Sequence, residues 1–304
     1  MPRLPSGEQY DLAAGPYRAA VTSVGATLRE LSWAGRPVLS GFGPESRSTS
    51  GRGQVLAPWP NRVRDGRYRF GGADLQLALD EPEQGNAIHG LVRWLEWVIV
   101  EHHPDRVSLR HVIWPRDGYP FLVELAVTYA LDAAGGITVR MEAVNGGTDA
   151  CPFGAGFHPY LGAGHPVDET VLHVPAATSL VTDERSTPVG REVVAGTERD
   201  FRSPRSVGPV RLDTCYTDLS RDGQGRAEIT VLGPGGPETT VWMDAAFGFA
   251  MVFSADTLPQ SQRRRALAVE PMSCAPNAFQ SGEGLVVLAP GERWAGTWGV
   301  TVRS

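Results

Sequence analysis

Apolar residues recur at every second position over long runs of this chain, and that period demands strands with one buried face. Phe121, Val123, Leu125, Val127, Tyr129 and Leu131 share one side of their segment, with Leu122, Glu124, Ala126 and Thr128 opposite. Ile137, Val139, Met141 and Ala143 resume the pattern after Gly135-Gly136, which reads as a hairpin turn. Leu75, Leu77 and Leu79 predict a strand over 73–79, and Phe247, Phe249, Met251 and Phe253 alternate with small residues. Trp294, Gly296, Trp298, Val300 and Val302 mark the last strand. Turn signals fall at Pro104-Asp105, at Gly235-Gly236, and at Asp65-Gly66, where a hairpin is expected between 61–64 and 67–70. No long run has the 3.6-residue period with caps at both ends. The 36 glycines and 24 prolines suit a turn-rich chain. The expected fold is all-β, a large antiparallel β-sandwich whose two inner faces make one core. No composition break divides residues 1–304, so a single domain is expected, and no solenoid or propeller period recurs. The segment 183–210, charged and interrupted by Pro188, Pro204 and Pro209, reads as long loops over the sheets.

Composition removes several kinds of chemistry. All 28 basic residues are arginine, so Schiff-base and lysine general-base mechanisms are excluded. A net charge of −6 argues against non-specific nucleic-acid binding. Cys151, Cys215 and Cys274 are odd in number and widely spaced, which fits neither a disulfide framework nor a zinc site. The N-terminal residues lack an apolar signal core, and no window reaches membrane-spanning length. A soluble cytoplasmic protein is the expectation. Phosphate-binding glycine loops, a nucleophile elbow and a dinucleotide fingerprint are all missing from the sequence.

Five polar spots interrupt apolar or proline-rich surroundings. In Phe153-Gly154-Ala155-Gly156-Phe157-His158-Pro159-Tyr160-Leu161, proline pushes His158 into extended backbone, and the glycines leave room for another backbone or a ligand. An imidazole there either transfers protons near neutral pH or bonds a main-chain carbonyl in the core. Arg62, in Pro58-Trp59-Pro60-Asn61-Arg62, has a planar fork suited to paired hydroxyls, and is equally placed as a surface arginine at a strand start. His89 precedes Gly90 at a strand entrance, as a ligand donor or a turn histidine. Asp213 suits two sugar hydroxyls or a turn. Glu270, in Leu267-Ala268-Val269-Glu270-Pro271, faces away from Leu267 and Val269; beside small apolar neighbours its pKa should rise toward that of a working general base. His89, His158 and Glu270 lack the spacing of a metal site, and His102-His103 point to opposite faces of a strand.

In this order these stretches resemble the aldose 1-epimerase, or mutarotase, family: Asn61-Arg62, His89 before glycine, His158 in Gly-Phe-His-Pro-Tyr, Thr197 to Arg202 leading to Asp213, and Glu270. Each motif is weak by itself, but the five together run from about residue 20 to the C-terminus. The resemblance implies a galactose mutarotase-like sandwich with a sugar groove across one sheet and no cofactor or metal. It implies that Glu270 takes the anomeric proton while His158 protonates the ring oxygen, the two being carried on two distant strands. It also implies that Asn61, Arg62, His89, Tyr160 and Asp213 hold the sugar hydroxyls. Met272 stands where galactose-type members usually carry glutamine, and the residues after His158 also differ, as in a divergent bacterial branch; the sugar is left open.

Three other readings compete. A hexose-6-phosphate 1-epimerase would want clustered arginines, whereas Arg62, Arg64, Arg67 and Arg69 are spread along a hairpin. A non-catalytic carbohydrate-binding or sensor protein on this fold has no reason to keep an acid–base pair. A glycoside hydrolase could pair Asp213 with Glu270. The expected partner is a small-molecule sugar, with neither nucleic acid nor membrane, and the expected state is a monomer or weak dimer.

Overall fold

The computed structural model describes residues 3–162 and 165–303. It is built almost wholly of antiparallel strands, as the period of two requires. One nine-stranded sheet runs in the order Val98–His103, Arg106–Ile113, Val123–Asp132, Gly136–Asn145, Arg293–Arg303, Glu238–Met243, Ala227–Leu232, Val171–His173 and Arg205–Ser206. The turns at Pro104-Asp105, Gly135-Gly136 and Gly235-Gly236 each join strands that pair as hairpins. An eight-stranded sheet carries Pro188–Val193, Ala176–Thr182, Asp213–Leu219, Phe249–Phe253, Leu267–Met272, Gly156–Phe157 and Val55–Leu56 in that order, with Tyr160–Leu161 also paired to Leu267–Met272.

The two sheets form a sandwich around one core. Val127, Val139, Val241 and Trp298 from the larger sheet share it with Val55, Phe157, Val252, Leu267 and Val269 from the smaller. Phe157 touches Trp298 across the layers, with ring centroids 5.1 Å apart. Each such buried side chain contributes about 1.5–3 kcal/mol by leaving water. Alternation then decides what lies on the other face of the smaller sheet. Phe157 points inward, so His158 does not; Leu267 and Val269 point inward, so Ala268 and Glu270 face outward. A four-stranded N-terminal meander, Gln9–Ala14, Tyr17–Thr22, Leu28–Trp33 and Arg36–Pro37, adds Leu12, Tyr17, Val21 and Leu31 to the same core.

Three local expectations change. The Asp65-Gly66 turn forms, but Arg62–Arg64 pairs with Asn86–Ile88 and Arg67–Phe70 with Ala73–Gln76. The side-chain amide of Gln280 donates to the carbonyls of both Arg64 and Arg67, at 2.7 and 2.6 Å. Asn277 Oδ1 takes the Arg64 N–H, so the groups that would close the hairpin are already engaged. Second, the strand at 73–79 stops at Gln76. Leu77 is buried, but Leu79 is 45% exposed, beyond the last paired residue. Third, 183–210 is more than loop: Pro188–Val193 forms an edge strand against Ala176–Thr182. An edge position tolerates its proline, which cannot complete a ladder on both sides. Among the described residues helix is confined to the short turns Val167–Glu169 and Ala278–Ser281, and none is long and apolar enough to cross a membrane.

Candidate active site

Strand register brings the two titratable residues together. Gly156 pairs with Met272 and Tyr160 with Ala268, so His158, midway between Gly156 and Tyr160, stands opposite Glu270, midway between Met272 and Ala268. Pro159 offers no N–H at this point, and the ladder opens there. His158 Nε2 lies 3.3 Å from Glu270 Oε1. Glu270 in turn pairs with Met251, and Met251 with Cys215. The next row on the same face runs Tyr160, Ala268, Phe253 and Asp213. The acid–base candidates are thus cross-strand neighbours in one sheet.

Both groups are withdrawn from water, His158 to 5% exposure and Glu270 to 2%. Burial holds the His158 imidazole down at about 3, with the cations of Arg93 and Arg52 acting in the same direction. Burial pushes the Glu270 carboxyl well above its usual range; nearby Asp213 adds to this and Arg62 opposes it. The two shifts together favour an uncharged pair, with the proton on the carboxyl. His158 Nδ1 and Glu270 Oε2 are buried with no hydrogen-bond partner.

The glycines before His158 make room for the Pro60 ring and the Cys274 side chain. A Cβ on Gly154 would lie 2.5 Å from Cys274 Sγ and 3.1 Å from Pro60 Cδ, and one on Gly156 would lie 2.7 Å from Pro60 Cβ. Gly154 N–H donates to the Pro58 carbonyl at 2.6 Å. This docking of 58–60 delivers Asn61 and Arg62 to the sheet face. Asn61 and His89 both have left-handed backbones, with φ of 55° and 62°, a conformation costing about 1–3 kcal/mol outside glycine. They hold each other: His89 N–H donates to the Asn61 carbonyl at 2.8 Å, and Asn61 N–H donates to His89 Nδ1 at 3.1 Å. That second bond requires a lone pair on Nδ1, which leaves the His89 proton on Nε2. Burial, then Arg93, His158 and Arg62, keep His89 neutral by lowering its pKa.

Arg62 donates to both oxygens of Glu81, at 2.8 and 2.9 Å, and its Nη1 remains 3.9 Å from Asp213 Oδ2. Asp213 begins its strand with its side chain 44% exposed, at the mouth of the site. Tyr160 stacks on His158, with centroids 5.0 Å apart and planes 10° from parallel, and gives its hydroxyl proton to the Ser50 carbonyl.

All seven residues singled out from the sequence, Asn61, Arg62, His89, His158, Tyr160, Asp213 and Glu270, line one cleft of about 210 Å³. Others were missed. Glu81 fixes Arg62, Arg93 joins the cleft wall, and Gly51 lies against the His158 ring. Of these, Gly51-Arg52-Gly53 offered a faint signal, since paired glycines flanking an arginine mark a tight approach. Among the described residues no group of three or more His, Cys, Asp or Glu is arranged to hold a metal. A cavity of about 350 Å³ elsewhere, between Trp33 and the turn at Gly233, contains no comparable acid–base pair.

The aldose 1-epimerase family model matches residues 8–301, and the chain belongs to that family. The uncharacterized protein YihR of Escherichia coli K12 is 35% identical over 288 residues, spanning 94% of this chain and 91% of YihR. A GalM/aldose epimerase homologue from C. elegans superposes with a TM-score of 0.86 at 18% identity, covering 98% of this chain and 99% of its own. Galactose 1-epimerase from Lactobacillus acidophilus NCFM superposes with a TM-score of 0.82 at 19% identity, covering 100% and 98%. At these identities the two structures establish the shared fold alone.

Proposed function

We propose that the protein is a mutarotase that interconverts the α and β anomers of a free aldose. The observation that carries this reading is the 3.3 Å approach of His158 Nε2 to Glu270 Oε1 at the base of the cleft. Opening a sugar ring needs a proton removed from the anomeric hydroxyl O1 and a proton given to the ring oxygen. Both oxygens are bonded to the same carbon, so the base and the acid must stand side by side. A buried pair holding one proton between them meets that need.

Transfer of that proton from Glu270 to His158 converts the uncharged pair into carboxylate and imidazolium without changing its total charge. Sugar hydroxyls and the Arg62 cation stabilise the carboxylate form. Glu270 then takes the O1 proton as the C1–O1 bond becomes a carbonyl. The bond from C1 to the ring oxygen breaks, and His158 protonates that oxygen. The aldehyde rotates about C1–C2, and closure on its other face returns both protons to their starting groups. Asn61, Arg62, His89 through Nε2–H, and Asp213 hold the hydroxyls. Tyr160, its own hydroxyl engaged by Ser50, serves through its ring, which fixes the plane of His158.

Arginine placement favours this reading over a phosphosugar epimerase built on the 62–69 cluster. Arg62 is held by Glu81, Arg64 by Asp183, Arg67 by Gln76 and Arg69 by Asp74, so the four side chains diverge. Polarimetry on a panel of free aldoses tests the function. The account expects accelerated approach to anomeric equilibrium for at least one sugar and none for its methyl glycoside, which lacks the O1 proton. Hydrolysis of the glycoside would replace this reading with a glycosidase.

A further inference from the structure

A second, smaller pocket of about 90 Å³ shares Tyr160 with the candidate cleft. Its other polar lining is Ser40, Arg52, Ser261, Gln262 and Arg265, with no carboxylate among them. Arg52 is only 8% exposed and stacks 4.5 Å above the Tyr160 ring. Its Nε is buried without a hydrogen-bond partner. Its terminal nitrogens reach only Ser40 O at 3.4 Å, Ser40 Oγ at 3.3 Å and Gln262 Oε1 at 3.4 Å, all at the weak limit of a hydrogen bond. Among the described residues Arg52 has no salt bridge, and the exposed Arg265 has neither a salt bridge nor a side-chain hydrogen bond.

Neighbouring arginines are treated differently. Arg264 is paired with Asp168 and Asp256, Arg93 with Asp80, and Arg62 with Glu81. Guanidinium does not deprotonate in proteins, so a buried one with no counter-charge carries an unrelieved desolvation cost. Its free N–H groups, facing hydroxyls and a second guanidinium, suit an acceptor with several oxygens and negative charge. We propose that this pocket is a binding site for a small oxyanion of the phosphate or sulfate class, held through Arg52 and Arg265 with Ser40, Ser261 and Gln262. The oxyanion has two sources: a free ion, or, if the adjoining cleft takes sugars as proposed above, an anionic substituent of the sugar itself.

Calorimetric titration of the full chain with inorganic phosphate, and separately with sulfate, tests the site. Saturable binding that weakens as chloride rises is expected, with affinity reduced about tenfold or more in Arg265→Ala and further in Arg52→Gln. Arg265 is exposed, so its variant keeps the fold even if the Arg52 variant does not. No saturable binding of either ion, or wild-type phosphate affinity in Arg265→Ala, overturns the proposal. Glucose and glucose 6-phosphate then separate the two sources. Displacement of phosphate by glucose 6-phosphate but not by glucose assigns the sugar's own anion, whereas phosphate that stays bound in the presence of either sugar assigns a free ion. Phosphate binding is read without turnover, so failure of the mutarotase reading leaves this test intact.

Discussion

Glu81 grips Arg62 with both carboxylate oxygens, at 2.8 Å from Nε and 2.9 Å from Nη2, and Asn86 Nδ2 steadies the same carboxylate at 3.0 Å. The fork is thereby fixed in plane, with Nη1 left on the side of Asp213. A residue outside the cleft lining sets the direction of one proposed to hold the sugar. Glu81→Ala should raise KM about tenfold while kcat changes only a few-fold, because the lost order affects ground state and transition state alike. Steady-state anomerisation kinetics check this; an unchanged KM would show that Arg62 needs no such support.

Gly51 sits against the ring it helps to place. A Cβ there would lie 2.4 Å from His158 Cδ2, and its φ of 73° is unfavourable to any side chain. Gly51→Ala should lower Tm through about 1–3 kcal/mol of backbone strain and should cut kcat at least tenfold by displacing the imidazole. Measuring kcat and Tm on the same preparation separates the two effects, and a wild-type kcat with lowered Tm would show that His158 tolerates displacement.

In the proposed mechanism the pair works while it holds one proton in total. Burial lowers His158 to about 3, so the second proton arrives only in strong acid. Burial raises Glu270, so the single proton is lost only above the ordinary carboxylate range. The profile of kcat/KM against pH should be bell-shaped, with its acid limb far below the ordinary imidazole value near 6.5. An acid limb centred near 6.5 would show that His158 titrates as an exposed histidine does.

Stability carries the same signature. An unfolded glutamate releases its proton near 4.3, whereas folded Glu270 retains it to higher pH. Between those values the folded state binds more protons than the unfolded state, so rising pH costs stability, at up to about 1.4 kcal/mol per pH unit. Below the window Glu270 is protonated in both states and the penalty vanishes. Glu270→Gln removes it throughout, so the variant's advantage in Tm over wild type should grow from about pH 4 upward. Paired melting curves across that range decide the matter, and a constant difference would mean that Glu270 ionises freely in the fold.

Much of this site could be read from the chain because its residues interrupt strong local patterns. His158 interrupts an aromatic stretch before a proline, and Glu270 interrupts an apolar one on the face opposite Leu267 and Val269. What alternation does not encode is which strands become neighbours. The register that sets His158 opposite Glu270 arises from pairing across more than a hundred residues, where the sequence places the two only on distant strands. Glu81 and Gly51 were hidden for the same reason, since each matters only through one remote contact. Gln280 likewise overrode a sound hairpin signal at Asp65-Gly66 by occupying two carbonyls from 213 and 216 residues away. Leu79, with a strand-like pattern behind it, was left exposed where pairing ended.

The central claim, that Glu270 and His158 together exchange the protons of ring opening, is tested most directly by NMR exchange spectroscopy between the α and β signals of a sugar the protein accepts. Wild type should accelerate that exchange. Glu270→Gln and His158→Asn should each slow it by about 10²–10⁴-fold while still binding the sugar and melting cooperatively. Exchange near the wild-type rate in either variant would contradict the account.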